Sequence, residues 1–114
     1  MAGTVTREEL TGGADGIPVV VVAIASTGTT IHTAHATSKD CLFLKASNTS
    51  SSVEQVLTLQ WGGTTSAYSV VHTIPVSSTI VISVGDFLTN SLVLRAYSTT
   101  ASVVNVTGYV DRYS

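Results

Sequence analysis

Short apolar segments, each followed by turn residues, recur along this chain at intervals of about ten residues. The segments are rich in Val, Ile and Thr, and none shows the 3.6-residue repeat of an amphipathic helix. The spacing leaves no sequence for the crossover helices that join parallel strands. We therefore predict an all-β fold: an antiparallel β-sandwich, jelly-roll-like, of about eight short strands.

The predicted strands cover residues 17–25, 30–36, 41–47, 56–61, 68–74, 79–84, 91–98 and 102–110. Alternate residues of a strand point to the same side, so the pattern also predicts a core face. Its members are Leu42, Leu44, Ala46, Leu57, Leu59, Trp61, Ile80, Ile82, Val84, Leu92, Leu94, Ala96, Val104, Val106 and Val110. The opposite sides are not uniformly polar, since they carry Phe43, Val81, Val93, Tyr97, Val103 and Tyr109. Strands that are apolar on both sides must be covered on both sides.

The length of 114 residues suits one domain. Residues 17–114 are predicted to form the β-sandwich, preceded by a flexible N-terminal arm at residues 1–16. The arm holds Arg7, Glu8, Glu9 and Leu10, a run too short to be stable alone as a helix. We expect these four residues to become ordered on a partner.

Charge is scarce in the predicted sandwich. Between residues 17 and 110 the charged side chains number six: Lys39, Asp40, Lys45, Glu54, Asp86 and Arg95. Charged residues are depleted at the cores of protein interfaces, so we expect the protein to be part of a larger assembly. The net charge of −2 gives no reason to expect a nucleic-acid partner. No apolar run approaches the ~18 residues that span a membrane, and no secretory leader is recognisable.

No group of residues predicts a catalytic, cofactor or metal site. His32 and His35 lie three apart, and on a strand such positions point to opposite sides. His72 has no carboxylate nearby in the sequence, and the one cysteine, Cys41, stands beside apolar residues and is expected to be a small buried group. The hydroxyl groups are many, but none lies in an activating motif. We predict that the protein is not an enzyme.

Several runs, in this order, resemble small virion proteins that tailed bacteriophages encode among their structural genes. They are Thr29-Thr30-Ile31-His32-Thr33-Ala34, Ala46-Ser47-Asn48-Thr49, Trp61-Gly62-Gly63-Thr64-Thr65, Leu92-Val93-Leu94-Arg95-Ala96-Tyr97 and Asn105-Val106-Thr107-Gly108-Tyr109-Val110-Asp111-Arg112. The resemblance implies a decoration or cement protein of the head, located on the virion after assembly in the host cytoplasm. It also implies that the chain binds the major capsid protein and forms a homo-oligomer, often a trimer, with Arg7, Glu8, Glu9 and Leu10 contacting the shell.

A binding module is the alternative that the sequence leaves open. The same sandwich could stand at the neck, the tail or a head fibre and recognise host-surface glycans through Trp61, Tyr68 or Tyr97. Trp61 precedes Gly62-Gly63, where an exposed indole could stack on a sugar. It also shares a strand side with Leu57 and Leu59, which favours burial in the core instead.

Overall fold

The alternating segments form two antiparallel sheets around a shared apolar core. The structure is a computed structural model that describes residues 4–13, 15–24 and 28–113. Within these ranges the strands are β1 (Val5–Glu8), β2 (Val19–Val20), β3 (Thr29–Thr33), β4 (Lys39–Asn48), β5 (Gln55–Trp61), β6 (Ser69–Ile74), β7 (Thr79–Leu88), β8 (Val93–Ser98) and β9 (Val104–Tyr113). No helix in the described ranges is long and apolar enough to cross a membrane.

The strand order defines the two layers. A five-stranded sheet has the order β1-β9-β4-β7, with β2 also pairing β9, and a four-stranded sheet has the order β3-β8-β5-β6. All of these strand pairs are antiparallel. The predicted antiparallel β-sandwich is confirmed, and the jelly-roll connection of its strands stays a prediction.

Alternation places most of the predicted core residues between the sheets. Leu42 and Ala46 of β4 and Leu57 and Leu59 of β5 are fully buried. On β9 the predicted Val104, Val106 and Val110 are likewise fully buried. Burying one such aliphatic side chain contributes about 1.5–3 kcal/mol, which makes this layer the main stabilising feature of the fold.

The prediction for Val84 is wrong, because β7 is irregular. Val84 is 73% exposed and points away from the core, whereas Ile82 is 6% exposed. The register between β4 and β7 shifts twice, so that Gly85 and Ile82 are extra residues without a direct partner. Each extra residue reverses the side to which the following residues point. Gly85 has φ +78°, a backbone conformation that glycine adopts at little cost.

Several predicted segments are shorter than expected, two of them with consequences for the predicted core or strand. The segment predicted at residues 91–98 begins as strand at Val93, because Asn90 and Ser91 have positive φ and form a turn. The predicted core residue Leu92 lies in that turn and is 42% exposed, so its assignment is wrong. Of the strand predicted at residues 17–25, Val19–Val20 is regular strand, and residue 25 lies outside the described residues.

The N-terminal segment packs on the sandwich in this structure, where the sequence predicts an arm apart from it. β1 pairs antiparallel with the end of β9, from Val5 opposite Tyr113 to Glu8 opposite Val110. Leu10 is 5% exposed and belongs to the core. Because β9 extends to Tyr113, β1 can pair with the part of its edge that β2 leaves free. Residues 1–3 and 14 of the predicted arm lie outside the described ranges.

Candidate interaction surface

One side of the five-stranded sheet faces away from the four-stranded sheet and carries most of the exposed rings. On β4 the even-numbered residues 42, 44 and 46 point to the core, so Lys39, Cys41, Phe43 and Lys45 point outward. The register then places Phe43 directly opposite Tyr109 of β9. We call this surface the aromatic face and define it by Phe43, Val81, Val84, Phe87, Tyr109 and Tyr113.

Rings and cations are layered across this surface. The rings of Phe43 and Tyr109 stack with centroids 5.2 Å apart and planes 20° from parallel. The guanidinium of Arg7 lies 4.0 Å from the centre of the Tyr109 ring, and its Nε donates a hydrogen bond to Asp111 at 3.0 Å. Stacked rings and cations over ring faces are both favourable arrangements, so each contact is expected to stabilise the positions of these rings.

A groove runs beside the Phe43 ring towards the β7 edge. Its volume is about 660 Å³, and it is lined by Thr37, Lys39, Cys41, Phe43, Gly85, Phe87 and Tyr113. At the rim of the groove, Lys39 Nζ lies 4.5 Å from the centre of the Phe87 ring. A methyl group added at Gly85 would meet the Phe43 ring at 3.4 Å, so glycine keeps this part of the groove open.

The aromatic face leaves much apolar surface in water. Val81 is 59% exposed and Phe87 is 57% exposed, in addition to Val84. A second hollow of about 340 Å³ lies between Val81, Val84, Lys45 and Tyr109. Among the described residues of this face, Arg7 and Asp111 form an ion pair, which leaves Lys39 and Lys45 as its cations without a carboxylate partner.

A buried polar network lies on the inner side of the same sheet. His32 of β3 and Asp40 of β4 are both fully buried, and His32 Nε2 lies 2.7 Å from Asp40 Oδ2. Arg112 of β9 donates to both Asp40 oxygens, at 2.8 and 3.2 Å. The backbone N–H of His35 also donates to Asp40, at 3.2 Å. The carboxylate is therefore well supplied with donors, as a buried charge must be.

The network fixes the proton of His32. The Thr11 backbone N–H donates to His32 Nδ1 at 3.2 Å, so that nitrogen is an acceptor and Nε2–H donates to Asp40. Both ring nitrogens are thus used, and the Thr11 contact ties the N-terminal segment to the sandwich. This arrangement is typical of a structural network, because it leaves no free lone pair or proton for a substrate.

Opposing effects act on the pKa of Asp40. Burial alone would raise the pKa of this carboxyl group, but hydrogen bonds from Arg112, His32 and the His35 amide lower it below its ordinary value of 3.8. At Cys41 burial raises the pKa of the thiol, and the side chain is 5% exposed, which confirms it as a small buried group. His35 has a separate role, because its Nδ1 accepts the backbone N–H of Ser38 at 2.9 Å within a turn.

Two of the three residues of the glycan-binding alternative, Trp61 and Tyr97, lie on opposite sides of the four-stranded sheet. Trp61 packs against the core, and its indole N–H donates to the Phe87 carbonyl at 3.0 Å. Tyr68 is 55% exposed in a short 3-10 turn before β6. Tyr97 is half-buried on β8, opposite Thr58. In the described part of the chain the stacked ring pair is Phe43 with Tyr109.

The four residues predicted to contact a partner from the arm are also divided. Arg7 belongs to the edge of the aromatic face, and Glu8 Oε1 lies 3.9 Å from Arg112 NH1. Glu9 accepts the Asp15 backbone N–H at 3.0 Å, and Leu10 is buried in the core. Sequence reasoning did not select Phe43, Phe87 or Tyr109 as a site, although it noted Phe43 and Tyr109 as apolar residues outside the core.

No protein-family model, curated protein or solved structure matches this chain. The class that the fold and the surface define is a β-sandwich with an exposed aromatic face on one sheet.

Proposed function

We propose that this chain is a non-enzymatic structural protein that assembles with other protein chains through its aromatic face. The resemblance gives the proposal its specific form: a decoration or cement protein of a phage head that binds the major capsid protein as a homo-oligomer. The observation that carries the proposal is the exposure of Val84, Phe87 and Val81 together on one side of the five-stranded sheet. Monomers rarely leave such an apolar patch uncovered unless it binds something.

The residue composition of the aromatic face is typical of a protein–protein interface. Aromatic residues are enriched at interfaces, and charged residues are depleted at their centres. Here the rings of Phe43 and Tyr109 stack at the centre, whereas Arg7 and Lys39 cover ring faces nearer the margins. A contact of about 1,500 Å² is ordinary for specific association, and repetition over a shell raises the total strength of attachment.

The buried polar network supports a structural role as well. Asp40 is saturated by donors, and both nitrogens of His32 are engaged inside the protein. These titratable groups stabilise the connection between β3, β4, β9 and the N-terminal segment. They therefore serve the fold that presents the aromatic face.

The glycan-binding alternative has weaker support. Trp61 is partly buried against the core and its indole N–H donates to the Phe87 carbonyl, so a structural role accounts for this side chain. Tyr68 is exposed, and among the described residues it forms no stacked pair with another ring. Glycan-array binding that is lost in Tyr68→Ala with the fold intact would favour this alternative over the structural proposal.

Binding to expanded, undecorated heads tests the proposal. The purified protein should co-sediment with the heads, and Val84→Glu should abolish co-sedimentation because it places a carboxylate within the apolar patch. Its effect on stability should stay within about 0.5 kcal/mol, since the side chain is exposed. Val53→Glu is the matched control, because Val53 is 51% exposed in the loop between β4 and β5. Failure of the unmodified protein to bind, or equal binding by both variants, would contradict the proposal.

A further inference from the structure

Among the described residues, the two sheets end in five edge strands, which differ in how they are protected: β1, β2, β3, β6 and β7, of which β2 has only two residues. An unprotected edge presents free backbone N–H and C=O groups and pairs with other chains, and charges, bulges and short length are the usual protection. β1 has four residues, among them Arg7 and Glu8. β3 has a register shift between Thr30 and His32, and β7 has two such shifts and carries Asp86.

β6 is the edge without these devices. It forms the end of the four-stranded sheet, and its six residues, Ser69–Ile74, contain no Lys, Arg, Asp, Glu or Pro. All six pair with β5 without a register shift. Val70 is 44% exposed and Val71 is 59% exposed. A regular, apolar strand of this kind is suited to pair with a further strand along its free side.

We propose that β6 pairs antiparallel with β6 of a second copy of this chain, across a two-fold axis, and so joins two four-stranded sheets into one. The occupant follows from the other edges. Pairing β6 with β1, β3 or β7 of a neighbour would oppose it to charged or bulged strands. β6 itself offers a regular partner without Lys, Arg, Asp or Glu, and a two-fold contact closes on two copies instead of growing into a fibre.

The side-chain pattern selects the register. Residues directly opposite each other in antiparallel strands point to the same side of the sheet. The pairing with β5 shows that Val71 shares one side with Ser69 and Thr73, and that Val70 shares the other with His72. A register centred on Val71 keeps both sides matched: Val71 meets its own copy, and Ser69 meets Thr73. It covers the most exposed apolar residue of the strand.

Oligomeric state tests this contact in the full chain. Sedimentation at increasing concentration should show a dimer. Val71→Lys should raise the dissociation constant of this dimer at least tenfold, because two ammonium groups would meet at the two-fold axis. Val53→Lys should leave the dimer unchanged, and far-ultraviolet circular dichroism should show both variants folded. A strict monomer, or an oligomer that is insensitive to Val71→Lys, overturns the proposal.

Cysteine cross-linking tests the register itself. Under mild oxidation Val71→Cys should give a covalent dimer, because the two copies of this position face each other. Thr73→Cys should not, because Thr73 would lie opposite Ser69. Equal cross-linking at both positions overturns the register.

The contact does not depend on the aromatic face, so the two proposals fail separately. Val71→Lys should keep binding to heads at saturating concentration, whereas Val84→Glu should lose head binding and keep the dimer. A three-fold oligomer that persists in Val71→Lys would overturn the two-fold contact and leave the structural function standing.

Discussion

The two sides of the five-stranded sheet differ in what they bury: the inner side buries a charged group, whereas the outer side leaves apolar rings exposed. On the inner side Asp40 is charged and fully buried, whereas on the outer side the Phe87 ring is 57% exposed. The two positions are close in the sheet, since Phe87 pairs with Cys41, the residue after Asp40. The buried charge is satisfied within the chain, but the exposed rings are not covered by it. The chain thus satisfies its buried charge on the inner side, whereas its outer side leaves apolar rings exposed, and this is the surface through which we propose that it assembles.

The largest expected effect comes from breaking the inner side. Asp40→Ala leaves the Arg112 charge half-buried and the His32 N–H without its acceptor. Removing one partner of a buried pair costs about 3–5 kcal/mol, so we expect the free energy of unfolding to fall by that order. Urea denaturation measures the change. Glu54→Ala, at an exposed position, is the control and should change it little.

Acid should act on the same network. The pKa of Asp40 is lower in the folded protein than its ordinary value of 3.8, so ionised Asp40 contributes stability above about pH 4. That contribution is lost as the pH falls from the ordinary pKa through the lower, folded-state pKa. We expect thermal unfolding of the unmodified protein to show an added loss of stability below pH 4, and Asp40→Asn to lack that part of the loss. Parallel pH profiles for the two proteins would contradict the assignment.

A smaller effect is expected from the ring pair on the outer side. Phe43→Ala and Tyr109→Ala each remove one partner of the stacked pair. A double-mutant cycle should give a coupling energy of about 0.5–1.5 kcal/mol, the range for aromatic pairs. Zero coupling would show that the stacking does not hold these rings in place.

The sequence predicted the inner side of the fold better than the outer side. Strict alternation through Leu42, Leu44 and Ala46 identifies core positions, because successive side chains of a regular strand point to opposite sides of the sheet. The extra residue at Ile82 breaks this rule before Val84 is reached, so Val84 could not be placed from periodicity. Bulges depend on how two strands pair, and a single strand pattern does not contain that information.

The aromatic face could not be predicted from the sequence, because its residues come together only through the pairing register of strands that are distant in the chain. Phe43 and Tyr109 are 66 positions apart in the chain and meet because β4 and β9 pair in one register among several. Likewise, Arg7 reaches Tyr109 because β1 pairs with β9, whereas the local sequence suggested a separate arm. The short length of β1 explains this, since four residues are stabilised by the sheet and not by their own propensity.

We propose that the outer side of the five-stranded sheet becomes covered when the protein binds to phage heads. Electron cryomicroscopy of heads saturated with the purified protein tests it most directly, because it shows which side of each sandwich contacts the shell. We expect density of this size on the capsid, with Phe43, Val84 and Phe87 within the contact. A reconstruction in which the aromatic face is open to solvent, while another surface contacts the shell, would contradict it.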